Sequence, residues 1–221
     1  MPLPYDLPPF NLNKENPILH LDAISTGIYR LDLILEGGLK KGNSYLLYGS
    51  LDHIRILMLQ LIDANENIKI IYLTTDFPYI KLLELGSKLY LNLNHCIFID
   101  MYAKGTESQK VIYISPHETE KLKEIIKSFM LSLENKFVLI VDNLDGLKQL
   151  VDEQVLIELI KFFYVGIKDF NCVVIYLSQT DFFITHQAID YTYQLNGSQI
   201  KSESLPCEIN YRLEESGIEI I

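Results

Sequence analysis

The sequence has no tryptophan and only three cysteines, Cys96, Cys172 and Cys207. An odd number of widely spaced thiols offers neither a disulfide framework nor the paired spacing of a zinc site, so no metal is expected. Cys96 and Cys172 stand in apolar runs and read as reduced thiols in or near a core. Proline is scarce beyond the start, since five of the eight fall in the first seventeen residues. Positive charge is also short, with 19 Lys and Arg against 29 Asp and Glu and a net charge of −10. Such a surface repels phosphate backbones unless bases gather locally, so DNA binding is expected to be weak or absent. No stretch of about eighteen apolar residues runs uninterrupted, and the first seventeen residues lack the basic-then-apolar order of a signal peptide. A cytoplasmic protein without membrane contact is expected.

What remains is rich in core-forming residues. With 48% of 221 residues hydrophobic and 22% charged, the chain can bury a sizeable core unaided. The early prolines predict an extended arm over residues 1–19, followed by one domain over 20–221. Nearly continuous apolar runs predict strands at Tyr45–Tyr48, Ile68–Thr74, Cys96–Asp100, Phe137–Asp142 and Cys172–Ser178. Helical periodicity fills the gaps at Asp52–Ala64, Pro78–Tyr90, His117–Asn135 and Val151–Lys168. That alternation predicts an α/β fold with a mostly parallel twisted sheet flanked by helices. After Ser178 shorter strands follow, near Tyr191–Leu195, Gln199–Glu203, Glu208–Leu213 and Ile218–Ile221, with Asn196-Gly197 and Ser216-Gly217 as turns. They predict an antiparallel extension of the sheet. The acids and lysines of His117–Asn135 read as a solvated helix face.

Ile24-Ser25-Thr26-Gly27-Ile28, then Leu31-Asp32, Leu35, Gly37-Gly38-Leu39 and Gly42, lead into Tyr45-Leu46-Leu47-Tyr48-Gly49. In that order these residues resemble the entry to the RecA-like core of RadA recombinases, their paralogues and KaiC-like ATPases. Phe137 to Leu144 resembles that family's Walker B strand, Val173 to Gln179 its next core strand, and Ala188 to Ile220 its closing strands. The resemblance covers nearly everything after His20 and implies a P-loop NTPase type of fold.

It also implies where nucleotide chemistry should sit. A working phosphate loop needs glycines whose N–H groups wrap the phosphates, a lysine for their charge and a hydroxyl for Mg²⁺. With Gly49 as the first motif glycine, Ser50, Leu51, Asp52 and His53 fill the loop. Ile54 then replaces the second glycine, Arg55 the lysine and Ile56 the hydroxyl residue. Ile54 is ill suited to positive φ, Ile56 has no oxygen, and Asp52 adds negative charge where phosphate would lie. Arg55 reads as an exposed loop residue that, without phosphate, has little to hold. The motif is read as degenerate and its residues as vestigial, with no cofactor expected and ATP as the alternative.

Asp142 matches the Walker B carboxylate, Asp76 lies near the family's catalytic glutamate, and Gln179 resembles the residue coupling nucleotide state to the DNA-facing loop. Each also has a plainer role, as helix cap, turn former or strand-end hydrogen bonder. Where the family carries DNA-binding loops, Asn143–Leu150 offers one base, Lys148, and no Lys or Arg occurs from Asp169 to Ile200. Phe182 and Phe183 follow Gln179 and read as a protein-partner contact.

The resemblance therefore implies a pseudo-ATPase, an accessory or regulatory protein acting through protein contacts, in DNA recombination or repair. Its partner would be a RecA/RadA-type protein or a second copy. The alternatives are a DNA-dependent ATPase of the RadA-paralogue type and a KaiC-like signalling module.

Overall fold

The computed structural model describes residues 22–102, 110–132, 137–181, 188–205 and 208–221. The expected arm, Phe182, Phe183 and Cys207 lie outside the described residues. A small ribbon of β1 (Ala23–Ile24) and β2 (Leu39–Lys40) brackets helix α1 (Tyr29–Ile34). The main sheet then runs through β3 (Asn43–Gly49), β4 (Lys69–Thr74), β5 (Cys96–Asp100), β6 (Val111–Tyr113), β7 (Phe137–Asp142) and β8 (Val173–Ser178). It continues with β9 (Tyr191–Asn196), β10 (Gln199–Lys201), β11 (Ile209–Glu214) and β12 (Gly217–Ile220). Spatially the order is β12-β11-β10-β9-β3-β8-β7-β4-β5-β6.

The pairings from β9 across to β6 are all parallel, and β10, β11 and β12 are added antiparallel. This is the mostly parallel α/β sheet with an antiparallel C-terminal extension that the sequence predicts. Helices α2 (Leu51–Ala64) and α3 (Tyr79–Lys88) cover one face. Helices α4 (Thr119–Ser132), α5 (Leu144–Leu150) and α6 (Glu153–Phe170) cover the other. Strand alternation divides the core accordingly: Val138 and Ile140 of β7 face α2, while Phe137, Leu139 and Val141 face the opposite layer. Asp142 continues the first series and so points toward α2.

The signature residues at the entrance have structural work. The buried Asp32 carboxylate accepts from the Thr26 N–H and the Thr26 hydroxyl, both at 2.7 Å, and from the Ser25 hydroxyl. The Ser-Thr-Gly turn is thereby locked to α1. At the far edge, the Gln60 amide of α2 donates to the Ile218 carbonyl at 3.2 Å and accepts from the Ile218 N–H at 2.9 Å. Arg30 Nη1 donates to the Ile220 carbonyl at 3.0 Å. These side chains occupy backbone groups that an open edge strand would offer to another chain. Cys96 and Cys172 are free and buried, and burial raises both thiols, Cys172 to about 11, so neither is a ready nucleophile. No helix among the described residues is long and apolar enough to cross a membrane.

Candidate functional site

In open α/β sheets, ligands gather at the carboxyl ends of the strands, which directs attention to the ends of β3, β4 and β7. Gly49 closes β3, Ser50 is the sole connecting residue, and α2 begins at Leu51. Gly49 adopts φ +121°, and a Cβ there would lie 2.0 Å from the Leu195 carbonyl oxygen. The glycine is thus required by close approach to β9, and the Ser50 N–H donates to the same oxygen at 3.1 Å.

Asp52, His53, Ile54, Arg55 and Ile56 all lie within α2. Asp52 is exposed in its first turn. His53 Nδ1 sits 2.8 Å from the Tyr211 hydroxyl of β11, and Ile56 is buried in the core. The expectation of an exposed Arg55 in a loop is overturned: its exposure is 6%. The physical reason is that α2 presents position 55 on its inward face, where the carboxylates of Asp142 and Asp76 at the strand ends take up the guanidinium that solvent would otherwise hold.

There Arg55 makes a two-pronged bond to Asp142. Nε donates to Oδ2 at 2.8 Å and Nη2 to Oδ1 at 2.8 Å, the fork geometry in which guanidinium and carboxylate match best. Nη2 also donates to Asp76 Oδ1 at 3.1 Å, and the guanidinium lies 4.3 Å from the centre of the Phe77 ring. Asp142 is fully buried and accepts a third bond, from the Tyr72 hydroxyl at 2.9 Å. Tyr72 stands opposite Ile140 in the β4–β7 register, on the same face as Asp142. Asn143 completes the cluster: its Nδ2 donates to Asp76 Oδ2 at 2.6 Å while its Oδ1 caps α5 by accepting from the Gly146 N–H.

The charges fit one another. Burial raises the Asp142 carboxyl above its ordinary range, and the hydrogen bonds and charge of Arg55, with the Tyr72 bond, offset only part of that rise. Burial pulls Arg55 down, but Asp142 first, then Tyr72 and Asp76, more than compensate, so the guanidinium stays charged. The Tyr72 phenol is raised chiefly by burial and next by Asp142, which keeps it a proton donor. The arrangement clamps α2 against β4 and β7.

Three of the sequence-predicted residues, Arg55, Asp142 and Asp76, are therefore brought together. Gln179 is not among them: its backbone N–H donates to Asp145 Oδ2 at 2.7 Å, and the residue is exposed. Asn143–Leu150, read as a short loop, instead forms α5 behind the Asn143 cap. Tyr72, Phe77 and Asn143 were missed. Their only sequence signal is indirect: Tyr72 shares strand parity with Thr74, and Asn143 follows the Walker-B-like aspartate at a strand end. No group of three or more potential ligands suited to a metal occurs among the described residues.

A sequence profile of the family described as "ATPase: KaiC" matches residues 24–195. No curated protein matches the chain. Among solved structures, a KaiC-like protein from the hyperthermophilic archaeon Pyrococcus horikoshii superposes with a TM-score of 0.70 at 10% sequence identity. The match covers 90% of this chain and 98% of that one. At such identity the likeness speaks for the RecA-like fold.

Proposed function

Because the chain belongs to the KaiC ATPase family, we propose that it is a non-catalytic member, a pseudo-ATPase acting as an accessory or regulatory protein through contact with another protein. The observation that carries this proposal is the buried Arg55–Asp142 fork, 2.8 Å at both prongs, beneath a one-residue turn. A magnesium triphosphate needs a loop of backbone N–H groups, a mobile cation and a hydroxyl ligand. At those positions this chain has the first turn of a helix, an arginine committed to Asp142 and Asp76, and Ile56. These residues do not fit a magnesium triphosphate.

A protein partner, of RecA/RadA type or a second copy, is favoured over nucleic acid by the net charge of −10 and the lack of bases from Asp169 to Ile200. Recombination or repair is the process the resemblance suggests, and a KaiC-like regulatory setting is compatible with the same geometry. The test is ATP turnover by purified full chain with Mg²⁺, alone and with added single-stranded DNA. No turnover above buffer in either condition is expected. Steady hydrolysis lost in Asp142→Asn would refute the proposal.

A further inference from the structure

Beside the β1–β2 ribbon the sheet carries a row of tyrosines. Tyr45 of β3 stands opposite Tyr191 of β9 in the parallel register, and Tyr193 stands opposite Leu47. Strand alternation therefore sends all three tyrosines to one face. Their rings are nearly parallel, with the Tyr45 ring centred 5.1 Å from that of Tyr191 and 6.3 Å from that of Tyr193. The Tyr45 hydroxyl is engaged by β2, accepting from the Lys40 N–H at 2.6 Å and donating to the Lys40 carbonyl at 3.2 Å. These rings, with Leu35 after α1 and Leu205 after β10, line a cleft of about 380 Å³. Glu36 and Lys40 are the charged residues of that lining, and they pair with each other at 3.5 Å. What remains is an uncharged aromatic and aliphatic surface of the kind that takes proline rings, whereas a charged segment would find nothing there to pair with.

The chain itself supplies such a segment at that place. The described residues begin at Asp22. Its carbonyl accepts from the Lys41 N–H at 2.9 Å, and Ala23 pairs with Lys40, so residues 1–21 join the domain beside a residue of the cleft's wall. Five of the eight prolines lie in that stretch, and its run Leu7-Pro8-Pro9-Phe10 carries no charge. Phe10 precedes Asp22 by twelve residues. That tether spans up to about 40 Å when extended, so it reaches the adjoining cleft with slack. We propose that Leu7-Pro8-Pro9-Phe10 docks in the tyrosine-lined cleft of its own chain, setting its rings against Tyr191 and Leu205. The docked segment caps an aromatic surface that would otherwise be open to a second copy or to another protein. The proposal goes beyond the pseudo-ATPase reading and does not depend on the state of the nucleotide site.

Because the chain has no tryptophan, Phe10→Trp in the full chain is a single, selective fluorescent reporter. Acrylamide should quench it about fivefold less than the same tryptophan in a free peptide of residues 1–21, as a segment seated in roughly four of five molecules requires. Adding Tyr191→Asp, or Leu205→Glu at the other wall, should bring quenching up to the peptide's value, with melting curves recorded to show that each variant is folded. The converse reporter, Tyr191→Trp with the native segment, should be shielded. Combined Pro8→Ser, Pro9→Ser and Phe10→Ser should make it about fivefold more quenchable. The proposal is overturned if neither reporter is shielded, if Phe10→Trp stays shielded in both folded cleft variants, or if the serine replacements leave Tyr191→Trp unchanged. It is also overturned if the shielding of Phe10→Trp fades on about hundredfold dilution, because the segment then sits in a second copy. ATP hydrolysis by a chain whose reporters remain shielded would remove the pseudo-ATPase reading and leave the docked segment standing.

Discussion

Replacing Arg55 with methionine removes a cation from beside a carboxylate that is fully buried. Methionine keeps most of the side-chain volume, so the loss is chiefly electrostatic and hydrogen-bonding in character. Asp142 keeps the Tyr72 bond at 2.9 Å but loses both prongs of the fork, and Asp76 loses its bond at 3.1 Å. Stranding one member of a buried ion pair typically costs about 3–5 kcal/mol. At roughly 2–4 °C per kcal/mol for a domain of this size, melting should fall by about 6–20 °C. The companion variant Arg55→Met with Asp142→Leu removes both charges and should recover most of the loss, because well-packed apolar replacements of buried pairs are often neutral. In a double-mutant cycle followed by urea denaturation, the coupling should exceed about 2 kcal/mol. The single variant also has a signed pH dependence. With its cation gone, the Asp142 carboxyl titrates further above its unfolded value, so the folded state binds more protons than the unfolded one and stability falls as pH rises. The deficit against wild type should therefore narrow from about pH 8 to about pH 5. A single variant within about 0.5 kcal/mol of wild type would refute the clamp.

Further outcomes follow from other contacts. Gly49→Ala should destabilise by roughly 2–4 kcal/mol in chemical denaturation, since its Cβ would meet the Leu195 oxygen at 2.0 Å under a φ of +121°; a melting point like wild type would contradict the close approach. Burial alone would raise the Asp190 carboxyl, but Lys168 and Ser44 hold it below its usual value. Its contribution is thus present above the unfolded carboxylate range and lost as pH falls through the lower folded pKa. Thermal scans of Asp190→Asn should differ from wild type at neutral pH and converge with it in acid; a constant gap would contradict this. Gln60→Ala exposes the Ile218 N–H and carbonyl on β12 and should lower stability by about 1 kcal/mol and raise concentration-dependent association in light scattering. Unchanged scattering would show that the edge is protected by other means.

The central strands were legible because a strand covered on both faces must be apolar at every position, as Phe137-Val138-Leu139-Ile140-Val141 is. The turn at Asn196-Gly197 likewise marked the β9–β10 hairpin. Three-residue β6 was not legible, since so short an edge strand has no period to detect. Nor was α5, a single seven-residue helix whose start depends on one Asn143 cap. At the site, the replacement of glycine and hydroxyl residues by Ile54 and Ile56 could be read directly. The pairing of Arg55 with Asp142 could not, because it joins residues 87 apart in the chain and depends on how α2 lies over the ends of β4 and β7, which periodicity does not encode. Tyr72 reads like any core tyrosine of a β-strand until the register sets it opposite Ile140, from where its hydroxyl reaches Asp142.

The most direct measurement is the melting curve of the full chain against rising Mg-ATP. At ligand one hundred times its dissociation constant, binding would add about 2.7 kcal/mol, or roughly 5–10 °C. With Arg55 held by Asp142 and Asp76, no magnesium-dependent rise is expected in wild type at millimolar ATP. A saturable rise of several degrees that requires Mg²⁺ and disappears in Arg55→Met, after correction for that variant's own lower baseline, would contradict the closed site.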